Sequence, residues 1–186
     1  RLIMFIIKNN YYLYIDNTKS INLDILKKPK KISIIYRTNY PGKVDDLIKF
    51  RKECHSRNIK LYIANNDRLA RNCKADGIYL SASNNKFYYN IEIIGSAHNF
   101  KEIYRKIKQR CSTIILSRLF QTTYKNKKNF YGLVKFNLII KKYLVQLIPL
   151  GGIRGSNLLK LNLVNSSGLA IMSEIKKKPA ISNRLF

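Results

Sequence analysis

Chemically capable side chains stand directly after short apolar runs: Arg37, the Asn65-Asn66-Asp67 triplet, Ser81 to Asn84, Ser96-Ala97-His98, Gln121 to Lys125, Gly151-Gly152 and Ser173. A guanidinium at a strand end either closes a surface ion pair or grips an anion with its fork of donors, and beside an anion site the second reading is preferred. His98, one of two histidines, suits proton transfer or, as a neutral partner, an ordinary loop hydrogen bond. Asp67, just ahead of Leu69 and Ala70, has the type favoured at a helix N-cap. Gly151-Gly152 carries the signal of a tight turn. Asp76, in Ala75-Asp76-Gly77, reads as a turn residue before a strand rather than as a catalyst.

These groups act together only if one scaffold gathers them. Runs rich in Ile, Val, Leu and Tyr recur with helix-compatible segments between them, the pattern of repeated strand-helix units on a parallel sheet. The runs predict strands at Tyr12 to Ile15, Ile32 to Arg37, Lys60 to Ile63, Gly77 to Leu80, Ile91 to Gly95, Thr113 to Ser117, Gln146 to Leu150 and Leu169 to Met172. Helices are predicted over Val44 to Asn58, with Leu47, Phe50 and Cys54 at helical spacing, and over Phe100 to Gln109, with Ile103, Tyr104 and Ile107 on one face. Gly42 after Pro41 and Asn99 after His98 mark their starts. Eight strands alternating with helices imply an α/β fold, a (β/α)8 TIM barrel. About 250 residues is usual for that fold, so the barrel is short or slightly incomplete at the termini, and some helices are brief or missing. Pro179, after Lys176-Lys177-Lys178, interrupts any long closing helix. In such a barrel the carboxyl ends of all strands open on one face, where ligands and catalytic groups assemble.

The chain has 186 residues, with 36 Lys+Arg against 10 Asp+Glu and a formal charge of +26. That length fits one domain, taken here as residues 1–186. The charge points either to a nucleic-acid or other polyanion partner or to a solvated Lys-rich surface. Lys, Ile and Asn fill 72 positions and the basic residues are dispersed, which favours the second. Apolar runs fall far short of the roughly 20 residues that span a bilayer. Leu2 to Ile7 meets Lys8, Asn9 and Asn10 without a signal-cleavage pattern, so a cytoplasmic protein is expected. The chain opens on Arg1, as a segment of a longer one would. Cys54, Cys73 and Cys111 are odd in number with no close pair, and read as reduced structural thiols.

The ordered set Ile63-Ala64-Asn65-Asn66-Asp67, Ala75-Asp76-Gly77-Ile78, Ile94-Gly95-Ser96-Ala97-His98, Phe120-Gln121-Thr122 with Lys125, Gly151-Gly152-Ile153 and Ile171-Met172-Ser173 resembles the thiamine phosphate synthase and thiazole tautomerase superfamily, over residues 12 to 175. The resemblance implies a transferase that joins hydroxymethylpyrimidine diphosphate to thiazole phosphate and releases pyrophosphate, with Mg²⁺ and cationic or amide donors around the leaving group. It implies that Arg37, Ser96 and Lys125 serve catalysis, with Arg37 on the diphosphate, Ser96 on the pyrimidine substrate and Lys125 on the loop after the sixth strand. Asn66, Thr122, Gly151, Gly152, Met172, Ser173 and His98 would bind substrate, the glycines and the Met172-Ser173 backbone offering amides to the thiazole phosphate. Asp67 would be the metal carboxylate.

Three departures bear on activity. The superfamily's Gln-x-Arg-x-Lys is here Ile35-Tyr36-Arg37-Thr38-Asn39, which keeps the arginine and loses the lysine. Ser81-Ala82-Ser83-Asn84 stands where Gly-Gln and acidic residues are usual, so Asn84 offers a neutral carbonyl in place of a second metal carboxylate and a weakened Mg²⁺ site is expected. Tyr124 replaces a second threonine. The tautomerase branch keeps the phosphate site and the histidine without metal carboxylates, so an isomerase remains an alternative, as does a non-catalytic barrel binding a phosphate ligand or a polyanion. The Asn66-Asp67 pair tips the reading to the synthase.

Overall fold

The computed structural model describes residues 8–26, 31–38, 43–122 and 129–172. Its strands are β1 (Asn10–Ile15), β2 (Lys31–Tyr36), β3 (Lys60–Ala64), β4 (Gly77–Leu80), β5 (Glu92–Ala97), β6 (Thr113–Ser117), β7 (Gln146–Leu150) and β8 (Gly168–Ile171). All pair in parallel, in the order β7-β6-β5-β4-β3-β2-β1-β8. β4, β6 and β8 are buried along their whole length, as parallel strands covered on both faces must be. The two ends of the sheet approach one another: Ser166 Oγ, just before β8, donates to Leu147 O of β7 at 2.9 Å, and a Cβ on Gly168 would lie 3.0 Å from Ile148 Cδ1. The eight strands thus form a nearly closed (β/α)8 barrel.

Four α-helices are present among the described residues: α1 (Val44–Ser56), α2 (Asp67–Asn72), α3 (Phe100–Lys108) and α4 (Gly132–Lys142). Between β4 and β5 the chain forms no helix, and the β1–β2 and β7–β8 connections use 3-10 turns, so the barrel is short at the expense of its outer layer. α1 stops earlier than Asn58 because that residue is left-handed, φ 57, and Ile59 N folds back to Cys54 O at 2.9 Å. Asn99 caps α3 as expected, accepting from Glu102 N at 2.9 Å. Pro41, Gly42 and Pro179 lie outside the described residues. No helix among the described residues is long and apolar enough to cross a membrane.

Side chains alternate across each strand, and the cluster Tyr12, Tyr14, Ile35, Tyr62, Tyr79, Ile94, Ile115, Ile148 and Ala170 fills the barrel interior. Tyrosines do most of the filling. Tyr14 and Tyr79 pack edge to face with centroids 5.5 Å apart, and Tyr14 donates its hydroxyl to that of Tyr79 at 3.1 Å. Tyr62 takes the space a side chain at Gly77 would need: a Cβ there would stand 2.6 Å from the ring and 2.5 Å from Glu92 O. A second cluster, including Leu61, Ile63, Ile103, Phe136 and Leu161, packs between the outer strand faces and the surrounding elements. At the amino end of the barrel Lys60 pairs with Glu92 at 2.7 Å. Asp76 accepts there from Arg51 Nη2 at 3.1 Å and from Leu61 N at 2.8 Å, a tie between α1 and β3 that accords with its reading as a non-catalytic residue.

Two outcomes are expected. Gly77→Ala overpacks the interior and lowers the unfolding free energy by about 1–3 kcal/mol, read from urea denaturation. Burial lifts the hydroxyls of Tyr12, Tyr14 and Tyr62 above the ordinary tyrosine value, and the thiols of Cys54 and Cys111 to about 12 and about 11. The folded chain then holds protons that the unfolded chain releases, so the thiols withdraw stability as pH rises past about 9 and the phenols past about 10. Lys8 and Lys106, both lowered by burial, act with the opposite sign only up to the ordinary lysine value. Between about pH 10.5 and 11.5 the unfolding free energy should therefore fall, by more than about 1.4 kcal/mol; a flat profile contradicts the buried phenols.

Candidate functional site

The register that sets the interior also sets the carboxyl-terminal mouth. Tyr14 pairs with Ile35 and Tyr36 stands opposite Ile15, so the residue after Tyr36, Arg37, takes the inward position two beyond Ile35. The same count of two places Ser96 and His98 above Ile94 on β5, Ser117 above Ile115 on β6, and Met172 above Ala170 on β8. Met172 is 44% exposed, at the open rim. Arg37 continues the ladder, its N donating to Ile15 O at 2.8 Å, with an exposed side chain. Burial raises the Tyr14 hydroxyl well above the usual range, and the charge of Arg37 weakly opposes that rise.

The Asn65-Asn66-Asp67 triplet is built by a turn. Asn65 is left-handed, φ 56, a conformation asparagine tolerates. That turn brings Asn66 rather than Asp67 to the N-cap of α2, where its Oδ1 accepts from Leu69 N at 2.9 Å. The N-cap reading of Asp67 is therefore corrected: it is the first helical residue, half-buried beside the cap. Asn66 keeps two N–H donors on Nδ2 that the cap does not use.

Ser96 is buried, 7% exposed, below His98. His98 is fixed on three sides. Its Nδ1 lies 2.6 Å from Ser117 Oγ, its N donates to Glu102 Oε2 at 2.6 Å, and its O accepts from Tyr131 OH at 2.6 Å. Only the Ser117 contact reaches the imidazole; the other two hold the main chain at the start of α3. Ser117 was not singled out from the sequence because it ends an apolar strand; the one available signal was a hydroxyl at inward parity beside another polar strand end.

Gly151 and Gly152 have φ of +94 and +71. A Cβ on Gly152 would sit 2.4 Å from Phe120 O, and Phe120 N donates to Gly151 O at 3.1 Å. The glycines thus form the tight turn expected, and it pins the end of β7 to the loop after β6, which leads to half-buried Thr122. Lys125, Tyr124 and Ser173 lie outside the described residues.

For a metal, the donor set is thin. Among the described residues no three His, Cys, Asp or Glu side chains cluster. Asn84 Oδ1 accepts from Lys86 N at 2.8 Å and its Nδ2 donates to Asn65 Oδ1 at 2.9 Å, so the side chain read as a neutral substitute ligand is engaged with the protein. Asp67 remains, and one carboxylate completed by substrate phosphate oxygens and water is a mode Mg²⁺ accepts.

The sequence model of the family described as thiamine monophosphate synthase matches residues 34–175. The chain belongs to that family. It is 28% identical over 179 residues to the thiamine-phosphate synthase of Prochlorococcus marinus subsp. pastoris, an alignment covering 89% of this chain and 51% of the other, so the chain spans about half the length of that relative. Among solved structures it resembles the thiamine phosphate pyrophosphorylase of Pyrococcus furiosus, with TM-score 0.74, 15% identity, and coverage of 95% of this chain and 91% of that one. The thiamine phosphate pyrophosphorylase of Bacteroides thetaiotaomicron follows at TM-score 0.67 and 16% identity, with 95% and 93% covered. Phosphoribosyl anthranilate isomerase of Thermotoga maritima superposes at TM-score 0.65 and 11% identity, with 96% and 95% covered. At these identities the structures establish the barrel, and the family rests on the sequence match.

Asn66→Ala should cost about 1 kcal/mol of unfolding free energy through loss of the α2 cap, whereas Asn66→Asp keeps the acceptor and should stay within a few tenths; equal losses in urea denaturation contradict the capping assignment.

Proposed function

We propose that the chain is a transferase of thiamine phosphate formation, joining hydroxymethylpyrimidine diphosphate to thiazole phosphate with release of pyrophosphate. The observation that carries this reading is the alignment of Arg37, Ser96 and His98 at inward positions of one mouth, beside the Asn66-Asp67 turn, in a chain that matches the family over residues 34–175. In the reaction the thiazole nitrogen donates its lone pair to the methylene carbon while the carbon–oxygen bond to the diphosphate breaks, and the pyrophosphate leaves with that electron pair.

The difficulty is charge separation, and donors aimed at the departing oxygens lower it. Arg37 grips the diphosphate as a planar fork, and the Nδ2 donors of Asn66 reach a second phosphoryl oxygen. Ser96 orients the pyrimidine. Thr122 and Lys125 serve the thiazole phosphate and the leaving group. The backbone at Gly151, Gly152, Met172 and Ser173 takes the thiazole phosphate, glycine allowing close approach. Mg²⁺, held by Asp67 and the diphosphate, would neutralise leaving-group charge, and with Asn84 committed elsewhere its affinity is low.

One observation favours a second reading. The contact of Ser117 Oγ with His98 Nδ1, at 2.6 Å, orients the imidazole and suits a proton-transfer group, and hence a metal-independent isomerase acting on a thiazole carboxylate phosphate. The two separate cleanly. Purified chain given both precursors and Mg²⁺ should form thiamine phosphate, and Asp67→Ala should cut kcat by about 100-fold or more while His98→Ala, the loss of a substrate contact, acts mainly on KM. No product at saturating substrates eliminates the transferase; isomerisation without metal that His98→Ala abolishes establishes the alternative.

A further inference from the structure

The side chain of Lys106 on α3 is 0% exposed, which for an ammonium requires that its donors be matched. Its Nζ donates to the main-chain O of Asn84 at 2.8 Å and to Gln109 Oε1 at 2.9 Å. Gln109, itself buried, donates through Nε2 to Asn84 O at 3.1 Å and Lys86 O at 2.7 Å. Gly95 makes room for the stem, since a Cβ there would lie 2.8 Å from Lys106 Cδ and 2.9 Å from Cys111 Sγ. Burial lowers the ammonium to about 8; the neighbouring Cys111 and Glu102 oppose the fall and Arg105 adds to it. A methionine would fill this volume without a buried charge. What the ammonium adds is a grip on carbonyls.

Asn84 O, held by both Lys106 and Gln109, and Lys86 O, held by Gln109, belong to the helix-free segment between β4 and β5. Asn84 carries the grip to the mouth: its Nδ2 donates to Asn65 Oδ1 at 2.9 Å, which also accepts from Ser81 N at 3.0 Å. Asn65 is the left-handed residue whose turn delivers Asn66 to the α2 cap and sets Asp67 beside it. We propose that Lys106 is a positioning residue: through Asn84 and Asn65 it holds the β4–β5 segment and the Asn66-Asp67 turn in the arrangement that the ligand meets. The identity of that ligand rests on the transferase reading; the clamp does not.

Amide exchange by mass spectrometry and calorimetric titration with thiamine phosphate test it on the full chain. Lys106→Met should speed exchange in residues 81–86 and 64–67 by roughly tenfold or more, leave β1 and β2 unchanged, and weaken thiamine phosphate by about fivefold or more. Asn84→Ala should weaken it too, and adding Lys106→Met should bring little further loss, because both act along one path. Unchanged exchange in the two segments, acceleration spread evenly over the barrel, or strictly additive losses would overturn the proposal. Should Lys106→Met fail to fold, Asn84→Ala, which cuts the link from the clamped segment to Asn65, must itself speed exchange in residues 64–67 and weaken thiamine phosphate, or the proposal falls. If the unaltered chain binds no thiamine phosphate, the transferase reading fails, and the exchange pattern still decides the clamp.

Discussion

A parallel barrel buries both faces of every strand, and side chains along a strand alternate, so each residue's face is fixed by its distance from a neighbour already known to be inside. Every feature of the mouth depends on this constraint. Once Ile35, Ile94, Ile115 and Ala170 are packed within, Ser96 and Ser117 face inward above them, and Arg37, His98 and Met172 follow at the same parity one residue beyond their strand ends. A slip of one residue in any ladder would send that group to the helix side.

The interior supports the same arrangement. Four tyrosines help fill the barrel, and two of their hydroxyls, those of Tyr14 and Tyr79, pair with each other. Lys60 with Glu92 and Arg51 with Asp76 tie the amino end together, while the mouth carries Arg37 together with Asp67 and Glu102.

Much of this was legible in the sequence. The eight strands stand out because their Ile, Val and Tyr runs are bounded by polar residues, and their ends shift by only one or two positions. α2 and α4 were not. α2 spans only Asp67–Asn72, too short for a period, and α4, with Leu133, Val134, Phe136, Leu138, Ile139 and Ile140, is rich in residues that also suit strands. Asn66 and Asp67 are both good caps, and only the left-handed turn at Asn65 decides between them. Ser117 and Lys106 were hidden for a shared reason: a polar residue in an apolar or helical stretch shows its role only when a partner distant in sequence, His98 or Asn84, arrives beside it.

The central claim is that one mouth, built by strand parity, receives phosphoryl groups. Amide exchange of the full chain with and without inorganic pyrophosphate and Mg²⁺ tests it most directly. The account predicts saturable protection concentrated in residues 36–38, 64–68, 96–98 and 117–122, with the amino-end segments around Lys60 and Glu92 unaffected. Protection spread over the lysine-rich helices, or absent from the mouth at saturating pyrophosphate, would contradict it.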